Sequence, residues 1–67
     1  MSLLLNHTYC IIGICPEKID RFHNMGLSVS TRITVKYVRP LNGPIIVEIQ
    51  GRLIALRKGE IECLNLK

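Results

Sequence analysis

The chain has no tryptophan, one phenylalanine and two tyrosines. A binding surface built by stacking bases or proline rings on aromatic side chains is therefore not expected. No apolar run approaches the roughly 18 consecutive residues that a membrane-crossing helix needs. The segment Met1-Ser2-Leu3-Leu4-Leu5-Asn6 has neither the basic start nor the long apolar stretch of a secretion signal, so a cytoplasmic protein without direct membrane insertion is expected. Two histidines, no glycine-rich phosphate loop and no carboxylate pair in an acid-base context leave little from which to build an enzyme, and no catalysis and no cofactor are expected. The three cysteines, Cys10, Cys15 and Cys63, are too few and odd in number for a disulfide framework, and read as reduced thiols that pack as small apolar residues.

What the sequence does have is aliphatic bulk. Of its 67 residues 48% are hydrophobic, most of them Ile, Leu and Val, which suits a β-rich core in a single domain spanning 1–67. Lys and Arg outnumber Asp and Glu by nine to five, giving a net charge of +4. That balance favours encounters with acidic surfaces without naming the partner.

Thr8 to Cys15 is rich in β-branched and apolar residues and stops at Pro16, so it reads as a first strand, with Gly13 marking a bulge or a close backbone approach. Pro16-Glu17 opens a short helix over about 16–25, with Ile19, Phe22 and Met25 on one stripe. Gly26 ends it as a left-handed cap, and Leu27 is placed to fold back on the apolar face. From Thr31 to Val38 the period changes to two, with Ile33, Val35 and Tyr37 on one face and Arg32, Thr34 and Lys36 on the other. Pro40-Leu41-Asn42-Gly43-Pro44 turns the chain into a return strand at Ile45–Ile49, and Gln50-Gly51 turns it again into Arg52–Leu56. Arg57-Lys58-Gly59-Glu60 reads as a short break before a closing strand at Ile61–Leu66. Short antiparallel strands in a chain of this size leave open edges unless the sheet curls. The expected fold is all-β with one short helix, an SH3-like five-stranded, partly open barrel.

Arg21-Phe22-His23-Asn24-Met25-Gly26-Leu27 resembles the signature of the FeoA family, in which an Arg opens the last helical turns and an apolar residue precedes Gly-Leu or Gly-Ile. The stretch from Pro40 to Gly51 is similar to that family's proline, glycine and proline turn, return strand and hairpin glycine. The run Ile54-Ala55-Leu56-Arg57-Lys58-Gly59-Glu60 is similar to its Ala-Leu-Arg-x-x-Glu run. Asn6-His7, Ser28-Val29-Ser30 and Gly59 depart from the family pattern. The resemblance implies an SH3-like barrel, a role in ferrous iron transport, and a partner in the cytosolic part of a FeoB-type ferrous iron permease.

Candidate functional residues fall into three groups. Metal ligands would have to come from His7, Cys10, Cys15, His23 and Cys63, but Cys10-x4-Cys15 is poor zinc spacing and His7-x2-Cys10 has no second pair, so no metal site is assigned. Cys15 and His23 lack an orienting third group and make no nucleophile and base. Partner contacts are assigned to Arg21, Phe22, Met25 and Leu27 at the helix end, which would be core if buried, and to Arg32, Lys36 and Arg57, with Arg52 and Lys58 extending the basic patch if the strands align them. Arg57 and Glu60 have a competing structural role, bonding backbone around the last turn. Nucleic-acid binding is the alternative for the basic face, weakened by the lack of interleaved aromatics, and metal sensing through His7 and Cys10 is a further one. An open edge strand leaves room for weak self-association.

Overall fold

The computed structural model describes residues 3–41 and 43–67. Five strands, β1 (Thr8–Ile14), β2 (Arg32–Val38), β3 (Ile45–Ile49), β4 (Arg52–Leu56) and β5 (Leu64–Leu66), form an antiparallel sheet in the order β4-β3-β2-β1-β5. The first strand curls the sheet by serving two neighbours. Its start, Thr8 to Cys10, pairs with β2, and its later part, from Ile11 on, pairs with β5. The register shift between Ile11 and Gly13 on the β5 side lets it change partners. At Gly13 a Cβ would stand 2.9 Å from Nδ2 of the exposed Asn65, which would have to swing aside.

Between β1 and β2 a 3-10 turn at Pro16–Lys18 leads into helix α1 (Ile19–Asn24). Gly26, at φ +87°, ends it, with Gly26 N–H donating to the His23 carbonyl and Leu27 N–H to the Phe22 carbonyl at 2.8 Å. This is the paired bonding of a Schellman cap. The cap turns Leu27 inward, where it joins Ile11, Phe22, Ile33, Val35, Val47, Ile49, Leu56, Ile61 and Leu64 in one buried apolar core. Gln50 and Gly51, at φ 49° and 83°, make the tight β3–β4 turn expected of them. In the loop before β3, Gly43 N–H bonds the Pro40 carbonyl, while Asn42 lies outside the described residues.

Three expectations are corrected. A second helix, α2 (Lys58–Glu62), occupies the expected break and the start of the expected last strand, so β5 begins at Leu64. Glu60 organises it: Oε1 accepts the Arg57 N–H at 2.9 Å, and the Glu60 N–H donates to the Arg57 carbonyl. Tyr37 faces outward and is 60% exposed, because the β2–β3 register shifts between Val35 and Tyr37. The extra residue, Lys36, reverses the alternation beyond it. Third, Cys15 and Cys63 form a disulfide and only Cys10 is free. The pairing of β1 with β5 brings the two backbones together, with Cys15 N–H donating to the Cys63 carbonyl at 2.9 Å and the Cα atoms 5.1 Å apart.

Candidate docking surface

The helix end is mostly core. Phe22 and Leu27 are wholly buried, so neither offers surface to a partner, and Met25 is half-buried against the same cluster. The place of Phe22 and Leu27 in the partner-contact group is corrected by the Schellman cap, which folds the apolar stripe inward. Arg21 keeps a side chain 66% exposed, with Nη2 3.1 Å from Oε2 of the buried Glu60.

The basic residues do not merge into one patch. Arg32 is exposed at the start of β2, opposite Cys10, and has no ion-pair partner among the described residues. Lys36 Nζ lies 3.7 Å from Glu48 Oε1, so its charge is partly answered within the sheet. Arg52, opposite Ile49, sends its guanidinium over Gly26, with Nη2 2.7 Å from where a Cβ would stand. Strands β2 and β4 run in the same direction on either side of β3, so Arg57 and Lys58, beyond the end of β4, lie at the opposite end of the sheet from Arg32. Arg57 takes the structural role weighed for it through its backbone, whose N–H donates to Glu60 and whose carbonyl accepts from Glu60 and Ile61, while its side chain is exposed.

What sequence reasoning missed is the outer face of β2, β3 and β4. The register places Thr34, Glu48 and Leu53 in one row and Tyr37, Ile46 and Ala55 in the next. Leu53 is 59% exposed, Tyr37 and Ala55 are exposed, and Ile46 is half-buried. This face therefore carries the apolar side chains of Leu53, Ala55, Ile46 and Tyr37 around the Lys36–Glu48 pair, and β4, at its far edge, pairs with no strand but β3 among the described residues. The signal was in Leu53-Ile54-Ala55-Leu56, which is apolar on both faces of a strand.

No three His, Cys, Asp or Glu residues gather to hold a metal among the described residues. Cys10 points its thiol toward the Ile11 carbonyl, His7 lies on the exposed approach to β1, and Cys15 and Cys63 are spent on each other. No helix among the described residues is long and apolar enough to cross a membrane.

The FeoA domain model matches residues 2–67. The chain belongs to the FeoA domain family. A solved FeoA-like protein from Clostridium acetobutylicum is 24% identical, with a TM-score of 0.87, and the match covers 98% of this chain and 79% of that one. The iron(II) transport protein A of Clostridium thermocellum is 26% identical at a TM-score of 0.88, covering 98% of this FeoA-domain chain and 42% of its own. A Pseudomonas aeruginosa protein is 32% identical at a TM-score of 0.77 over 98% of this chain and 95% of its own. No curated protein sequence matches. FeoA-domain proteins are associated with iron transport, and the SH3-like barrel expected from the strand pattern is the fold this chain shares with them.

Proposed function

We propose that this chain is a noncatalytic accessory protein of ferrous iron transport, which docks on the cytosolic part of a FeoB-type permease and modulates its uptake activity. The apolar outer face of β2–β4 supports this reading. An antiparallel strand face turned to water is ordinarily polar, and one carrying exposed apolar side chains around a charged pair fits contact with another protein. Arg32, exposed on the neighbouring strand end without an ion-pair partner among the described residues, would speed encounter with an acidic partner surface. Nucleic-acid binding is the weaker reading, because the basic side chains are divided between the two ends of the sheet and no row of aromatics accompanies them.

The test is affinity capture from a membrane extract of the native host, comparing the tagged chain with its Leu53→Asp and Arg32→Glu variants. Recovery of a ferrous iron permease, identified by mass spectrometry and reduced most by Leu53→Asp, supports the reading. Recovery of nucleic acid alone, or no permease at matched expression, overturns it.

A further inference from the structure

At the end of the barrel away from the Gln50-Gly51 turn, the inner apolar row does not close. Val38, Ile45 and Leu56 share a register row on the core face, yet Leu56 is buried and Val38 is 50% exposed. An apolar side chain on the inner face of a barrel is normally covered by the next element round. Here α2 and β5 stand back from the row and leave a groove of about 440 Å³, whose apolar lining is Val38, Ile45, Ile61 and Leu64. That volume lies in the range of sites that bury a whole ligand group and is ample for a leucine-sized side chain.

The rim selects the occupant. Arg39 and Lys58, both exposed and both without an ion-pair partner among the described residues, flank the groove, with one acid, Glu62, alongside. An apolar floor with a predominantly positive rim suits an apolar side chain carried next to carboxylates and disfavours one carried next to lysines. No aromatic lines the groove, which sets aside a stacked base or a polyproline ligand.

We propose that this groove is a second docking site, which captures an extended segment of a partner protein presenting leucine-like side chains flanked by Asp or Glu. It lies at one end of the barrel, apart from Leu53 on the outer face, and it holds whether or not the partner is a permease. The probe is the peptide acetyl-Asp-Glu-Leu-Leu-Glu-Asp-amide, titrated into the full, isotope-labelled chain while methyl and amide NMR shifts are followed. Shift changes should centre on Val38, Ile45, Ile61 and Leu64. Replacing both peptide leucines by serine should weaken binding about tenfold or more. The Arg39→Glu/Lys58→Glu variant should bind several-fold more weakly with a flatter salt dependence. Val38→Asp should abolish the response, with its spectrum reporting whether the fold persists; the double charge variant, confined to exposed side chains, carries the test if it does not.

Four results would overturn the proposal. They are no shift at millimolar peptide, shifts centred on Ile46 and Leu53, equal binding of a lysine-flanked peptide, or groove shifts that depend on protein concentration alone. The last would mean that a second copy fills the groove, with Leu41, 97% exposed, as the side chain available to enter it.

Discussion

Arg21 on α1 and Glu60 on α2 are clipped together, Nη2 to Oε2 at 3.1 Å, while the other Glu60 oxygen accepts the backbone N–H of Arg57 at 2.9 Å. One buried carboxylate thus starts the second helix and ties it to the first. The two residues belong to separate stretches of the FeoA resemblance, the Arg that opens the helix end and the Glu that closes the Ala-Leu-Arg-x-x-Glu run. Their spacing in sequence gives no hint that they meet. The pairing makes the first duty of both residues structural, whatever else the exposed part of Arg21 does.

Glu60→Ala should lower stability by about 2 kcal/mol, since it strips the acceptor from the start of α2 and unpairs Arg21. Arg21→Ala should cost about 1 kcal/mol or less, because its guanidinium is mostly hydrated and a pair of that kind is weak. Urea unfolding of the two single variants and the double variant measures both costs and their coupling. Equal costs for the two single variants would show that the ion pair, and not the helix start, is what Glu60 supplies.

Two glycines should respond to alanine with opposite signs. Gly26 sits at φ +87° with the Arg52 guanidinium over it, so Gly26→Ala meets both backbone strain and a side chain that must move, and should destabilise by about 1–2 kcal/mol. Gly59 lies within α2, where nothing comes within 4 Å of an added Cβ. Gly59→Ala should stabilise by about 0.5–1 kcal/mol through helix propensity and a less flexible unfolded chain. Thermal melts of the two variants decide the signs.

Both glycines were visible in the sequence, yet only Gly26 was read correctly. A glycine after an apolar stripe ends a helix, whereas Gly59, in a run of five helical residues, looks like a break. So short a helix has no periodicity to recognise, and it persists because Glu60 caps it and Ile61 is buried in the core. The three-strand meander was legible because each turn carried its own chemistry, but the bulge at Lys36 was not. An extra residue in a strand leaves no mark when no glycine signals it, and it turned Tyr37 from expected core to surface. That single reversal, with the two-faced strand β4, is why the apolar outer patch escaped a reading that sought partner contacts among basic residues and at Phe22 and Leu27.

The Cys15–Cys63 bond was out of reach of spacing arguments for a related reason: it depends on which strand β1 meets at its far end. It closes a loop with a sequence separation of 48. By chain entropy such a loop is worth up to about 4 kcal/mol, and engineered or marginal bridges often deliver less. Reduction of the native chain, or Cys63→Ser, should therefore move the unfolding midpoint down by the equivalent of about 2–4 kcal/mol, while Cys10→Ser leaves it nearly unchanged. Alkylation of the unfolded chain without reductant, read by intact mass, should block one thiol. Three blocked thiols would show that the cysteines are held reduced.

Core and docking roles separate most cleanly at Phe22 and Leu53. Phe22 has no exposed surface, and Phe22→Ala leaves a cavity where α1 meets the sheet, at a cost of about 3–5 kcal/mol. A domain of this size has little more than that to lose, so the variant should be largely unfolded and its loss of partner binding should follow its loss of helix and sheet signal in circular dichroism. Leu53 is mainly hydrated already, so Leu53→Ser should change stability by about 0.5 kcal/mol or less. If the outer face of β2–β4 is where a partner docks, Leu53→Ser will weaken capture while the melting curve stays in place. Capture unaffected by Leu53→Ser, and by Tyr37→Ser two strands away on the same face, would move the docking site off this face.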